Sequence, residues 1–66
     1  MNERLIVRIE GREQAEELSV SAEHNAQEEL TRFLNRQGPY AQLWIKLADG
    51  EYVRYDSIAS IRIIEE

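Results

Sequence analysis

The sequence predicts an α+β domain, with one amphipathic helix packed on a small mixed β-sheet in the order β(β)αββ(β). Three observations carry this. Arg4 to Glu10 alternates apolar and polar side chains, Ala22 to Arg36 repeats its apolar residues at helical spacing, and Leu43 to Ile64 reads as two or three strands around Asp49-Gly50.

The first strand spans 4–10, with Leu5, Val7 and Ile9 on one face and Arg4, Ile6, Arg8 and Glu10 on the other; Gly11 ends it. Residues 12–20 are ambiguous. Arg12 to Leu18 has helix propensity, yet Ser19-Val20-Ser21 interrupts a helix. A two-residue turn at Gly11-Arg12 would return the chain as a second strand, but its register sets Glu16 beside Val7, a poor pairing for a core face. A short second strand near Glu17–Val20 is the preferred reading.

The helix is expected over 22–36. Ala22, Ala26, Leu30, Phe33, Leu34 and Gln37 share a face, and Ser21 is placed as N-cap with Glu23 in the first turn. Glu28 and Arg32 stand at i,i+4. Gly38 supplies the left-handed C-terminal position and Pro39 forbids continuation.

Strands are expected over 41–47 and 51–56. A two-residue Asp49-Gly50 turn would pair Ile45 with Arg54 and mix the faces. A three-residue loop, Ala48-Asp49-Gly50, pairs Ile45 with Val53, Trp44 with Arg54 and Lys46 with Tyr52. Opposed residues share a face, so the hydrophobic pattern selects the second register, with Gly50 in the left-handed bulge position. Trp44–Arg54 and Lys46–Tyr52 then become cation–aromatic pairs. Asp56-Ser57 breaks the strand, Ile58 packs under the turn, and 60–64 forms a last strand with Ile61 and Ile63 inward and Arg62 outward. Glu65-Glu66 is expected to fray.

This order matches the β-grasp (ubiquitin-like) arrangement as a topology, with no motif to accompany it. The end of the chain, Ile63-Ile64-Glu65-Glu66, does not offer the Gly-Gly that ubiquitin-like carriers use, which argues against a carrier role.

Sixty-six residues make one domain, taken as 1–66. A chain of this length buries only about 60% of the surface its unfolded form exposes. There is no Cys, hence no disulfide, thiolate metal site or cysteine nucleophile. Without such staples, self-association is expected. No apolar run reaches membrane-spanning length and no leader-like segment opens the chain, so a cytoplasmic protein with no membrane partner is expected.

The net charge is −5, which disfavours a general nucleic-acid binder. Residues 10–29 hold seven acids against Arg12, giving −6, so the sheet-forming remainder is nearly neutral. The acidic run reads first as a solvated face, and second as a mimic of nucleic-acid phosphates in an inhibitor. Seven of the eight bases are Arg, suited to bidentate and stacked contacts.

No catalytic constellation stands out. His24 alone lacks convergent ligands and reads as a solvent-exposed helix residue. Ser19, Ser21, Ser57 and Ser60, with Asp49 and Asp56, lie in no nucleophile motif and serve as cap and turn residues. The three glycines are scattered, so no phosphate-cradling loop forms and no cofactor or metal is expected.

The candidate binding residues are Arg4, Arg8, Trp44, Lys46, Tyr52, Arg54 and Arg62 on the outer sheet face. Trp, Tyr and Arg are the residues enriched in interface cores. The same composition stacks single-stranded bases, a reading the acidic total demotes. Long side chains lying over a Trp without any partner are the third account. The expectation is a non-enzymatic interaction module that self-associates or binds a protein partner through this face, with single-stranded nucleic-acid binding as the alternative.

Overall fold

The computed structural model describes residues 3–21 and 23–65. Strands β1 (Glu3–Ile9) and β2 (Glu16–Glu17) precede helix α1 (Ala26–Leu34), followed by β3 (Trp44–Lys46), β4 (Tyr52–Arg54) and β5 (Ile58–Glu65). Short 3-10 turns, Gly38–Ala41 and Tyr55–Ser57, precede β3 and β5. The α+β class and the order of two strands, a helix and three strands are those the sequence predicts, with both optional strands present.

A three-stranded sheet has the order β2-β1-β5, and β3 and β4 form a separate hairpin. Every strand pairing among the described residues is antiparallel. In the β-grasp arrangement the first and last strands lie side by side in parallel. Here β1 and β5 are side by side but antiparallel, so that likeness stops at the order of elements.

Strand β1 is the centre of the fold. Leu5 and Val7 are fully buried and Ile9 nearly so, facing a core of Leu18, Ala26, Phe33, Tyr40, Ile45, Leu47 and Val53. Ile6, on the other face, is also buried although it lies outside that cluster.

The second strand is shorter and earlier than the expected 17–20. Glu16 does stand opposite Val7, the pairing that looked unfavourable. Its carboxylate turns toward Arg12, 3.5 Å away at the surface, so no charge enters the core. Beyond Glu17, Leu18 adds one more bond to β1, its N–H donating to the Leu5 carbonyl, and its backbone also bridges to Leu47. Ala48 N–H donates to Glu17 O at 2.9 Å, so residues 17–19 join the hairpin to the three-stranded sheet.

The helix is shorter at both ends than expected. Asn25, not Ser21, is the N-cap: its side-chain oxygen accepts from Glu28 N–H at 2.8 Å. Ser21 instead closes a local turn, its hydroxyl accepting from Glu23 N–H. Ala22 lies outside the described residues. At the other end the left-handed residue is Arg36 (φ 55°), two positions before Gly38. Gln37 N–H donates to Arg32 O and Arg36 N–H to Phe33 O, the paired bonds of a Schellman end. Gly38 (φ 57°) instead opens the following 3-10 turn. Leu34, assigned by spacing to the buried face, is 60% exposed, because the helix buries Ala26, Glu29 and Phe33.

The hairpin register is as predicted: Trp44 opposes Arg54, Ile45 opposes Val53 and Lys46 opposes Tyr52. Gly50 has φ 95°, and Leu47 N–H donates to Glu51 O across the three-residue loop. The strands are shorter than 41–47 and 51–56, since 3-10 turns occupy Gly38–Ala41 and Tyr55–Ser57. β5 is longer than the expected 60–64. It includes Glu65, paired with Glu3 rather than frayed, and Glu66 lies outside the described residues.

Candidate functional site

Alternation along β3 and β4 turns Ile45 and Val53 into the core and Trp44, Lys46, Tyr52 and Arg54 outward. Trp44 is 52% and Tyr52 57% exposed. Beside them opens a cleft of about 310 Å³, with Trp44, Lys46 and Tyr52 on one side and Pro39, Tyr40 and Gln42 from the segment after the helix on the other. Glu29 also reaches this lining, from α1.

Glu29 is the buried charged residue among the described side chains. The Tyr40 hydroxyl donates to its Oε2, and Arg32 Nε lies 3.7 Å from Oε1. His24 Nδ1 is 2.9 Å from Oε1, without the geometry of a hydrogen bond. Burying a carboxylate demands such partners. Burial first, then the bond to Glu29, pushes the Tyr40 hydroxyl well above the usual tyrosine range, so it stays a donor at neutral pH. His24 lies in the turn before the helix and is half-buried rather than solvent-exposed.

Of the seven predicted binding residues, the cleft gathers Trp44, Lys46 and Tyr52. Arg54 belongs to the same hairpin but points its guanidinium at Asp56, with both hydrogen bonds at 3.1 Å. The expected cation–aromatic pairs across the hairpin do not form among the described residues. A carboxylate two residues away offers Arg54 a bidentate match that an indole face does not. The cation–aromatic contact that does form is Arg36 over the Tyr55 ring, 3.7 Å from its centroid.

Arg4, Arg8 and Arg62 belong to the three-stranded sheet, apart from the hairpin. Arg4 pairs with Glu17 at 2.8 Å, and Arg62 opposes Ile6 across the β1–β5 ladder. Arg4 and Arg8 stand two residues either side of buried Ile6 in β1, and Arg62 is opposite it in β5, so all three share its face of the sheet.

Sequence reasoning missed Glu29, Tyr40, Pro39 and Gln42. For Glu29 the signal was present: it stands three residues after Ala26 and four before Phe33, on the buried face of the helix. Its neighbours in an acidic run concealed it. That run is partly spent internally, since Glu17 pairs with Arg4 and Glu16 with Arg12. Arg12 also binds Glu51, whose carboxyl it holds below the usual range.

No group of three or more His, Cys, Asp or Glu among the described residues could hold a metal ion. Ser57 donates to the Arg54 carbonyl at 2.6 Å, a turn bond. No helix among the described residues is long and apolar enough to cross a membrane. Comparison with family models, curated proteins and solved structures found no match to this chain.

Proposed function

We propose that this chain is a non-enzymatic, cytoplasmic protein-interaction module that works without a cofactor. Its binding surface is the hairpin face and the cleft beside it, and its ligand is another protein. One observation carries the reading: Trp44 and Tyr52 stand more than half exposed beside a cleft that continues to buried Tyr40 and Glu29. Large aromatic side chains at the mouth of a preformed cleft supply the rigid anchors on which interface affinity concentrates.

Lys46 is the cation of the cleft lining, so the partner segment presents an apolar side chain to the aromatic pair and a carboxylate to Lys46. The single-strand alternative is weaker. Arg54 and Arg4 are each engaged by an acid of the same chain, which reduces the positive charge available to phosphates.

The test is capture from the source cell with wild-type protein and with Trp44→Ala, followed by titration of the purified partner against each. Trp44→Ala should leave the circular dichroism unchanged and weaken partner binding by about 2 kcal/mol or more. Equal binding by both proteins overturns the reading, as does strong salt-dependent binding to single-stranded DNA with no protein ligand.

A further inference from the structure

We infer that the free edge of β5 is a self-association site, where a second copy of the chain adds its own β5 antiparallel to extend the three-stranded sheet across a two-fold axis. This surface is distinct from the hairpin face.

The edge is open and its main-chain groups can be assigned. Among the described residues β5 pairs with β1 on one side and with no strand on the other. Leu18 N–H donates to Leu5 O, so the main-chain groups of Leu5 and Val7 point toward β2, and those of Arg4, Ile6 and Arg8 toward β5. Their partners Ile64, Arg62 and Ser60 therefore use their N–H and C=O groups on β1. The N–H and C=O groups of Ile61 and Ile63 are left facing outward along the free edge.

The side chains at this edge are also incompletely covered. Ile61 and Ile63 oppose Val7 and Leu5 and share their face, yet Val7 and Leu5 are fully buried while the two isoleucines are half-buried. A shallow groove of about 190 Å³ runs beside Ile61, with Leu34, Tyr55 and Ile58 also in its lining. Leu34, at 60% exposure, extends this apolar strip from the helix. Exposed edges are normally blunted by Pro, inward charges or short length. β5 has eight residues, about 26 Å of strand, with no Pro and no inward charge between Ile58 and Ile64. Its protections are the charges of Arg62 and Glu65 and the register shift opposite Arg8/Ile9, which leaves Ala59 as an extra residue near the start of the strand.

Charge selects both occupant and register. The chain carries −5 overall, so two copies repel except where acids are absent. Residues 57–64 contain no acid and one base, Arg62. Three antiparallel registers use the free groups of Ile61 and Ile63. One centres on Arg62 and sets it against the Arg62 of the other copy. A second centres on Ile63 and sets Ile61 against Glu65, which brings an acid onto the apolar face. The third centres on Ile61, sets Arg62 against Ser60, and brings Ile63 beside the small Ala59. Like charges directly opposed disfavour the first and the acid on the apolar face disfavours the second, so the Ile61-centred register is the one adopted. A contact of one strand pair and its flanks lies at the low end of stable interfaces, so the dimer dissociates on dilution.

The test is sedimentation equilibrium over a range of concentrations for the wild type, Ser60→Glu, Ser60→Arg and Trp44→Ala. Ser60 is exposed on the outer face, so its substitutions leave the core intact. The wild type should show a reversible monomer–dimer equilibrium. Ser60→Glu, which faces Arg62 twice per dimer, should tighten it by roughly 2- to 30-fold, and Ser60→Arg should weaken it similarly. Trp44→Ala should leave it unchanged, which separates this inference from the role of the hairpin face. A monomer at every concentration overturns it, and so does a dimer that ignores both charges at Ser60 or that Trp44→Ala dissolves.

Discussion

The Tyr40 hydroxyl donates a hydrogen bond to the Glu29 carboxylate, and each residue is only 3% exposed. The bond ties the segment after the helix to the helix itself and fixes the inner part of the cleft. Tyr40→Phe leaves a buried carboxylate short of a partner and should cost about 1–3 kcal/mol, read from urea denaturation.

The same pair gives stability a pH dependence in the alkaline range. The Tyr40 hydroxyl ionises at higher pH in the folded protein than in the unfolded chain. Its contribution is therefore complete below the ordinary tyrosine value of about 10 and is lost as pH rises from there toward the folded value. Denaturation midpoints should fall more steeply above about pH 10 in the wild type than in Tyr40→Phe. Parallel slopes would remove Tyr40 as the cause.

Helix α1 buries Phe33 and exposes Leu34, although both fit its apolar spacing. Phe33 packs against the rings of Tyr40 and Tyr55, with centroids at 5.5 and 4.7 Å. Phe33→Ala should lose about 3–5 kcal/mol, enough to unfold so small a domain. In dilute solution Leu34→Ala should stay within about 0.5 kcal/mol of the wild type. Thermal melts of the two variants compare them directly.

Arg36 holds a left-handed backbone at the end of α1 while its guanidinium stacks on Tyr55 and bonds to the Gln42 carbonyl at 3.1 Å. Arg36→Ala removes these contacts and keeps the strained backbone, at about 1–2 kcal/mol. Arg36→Gly frees the backbone and should cost less, by up to about 1 kcal/mol. If both variants lose equal stability, the left-handed position carries no strain.

At Gly50 the backbone alone sets the cost of substitution. Its φ is 95° and an added Cβ would meet nothing within 4 Å. Gly50→Val should destabilise the hairpin by about 1–2 kcal/mol, measured by denaturant titration.

The sequence by itself determined the hairpin, its three-residue loop and every pair across it. Strand parity admits one register that keeps Ile45 and Val53 together, and Asp49-Gly50 supplies the turn chemistry locally. The first strand and the existence of the helix were legible for the same reason: periodicity is written in neighbouring residues. Tertiary contacts decided the rest. The second strand ends at Glu17, and Leu18 then bonds to Leu5 on one side and bridges to Leu47, far along the chain, on the other. The helix turns Glu29 inward and Leu34 outward because Tyr40 offers the carboxylate a donor in the core. The seven outward residues divide between two sheets because residues 17–19 bond to β1 on one side and to the hairpin on the other. Each outcome depends on a partner remote in sequence, and alternation within a strand or helix carries no information about which remote segment arrives to cover it.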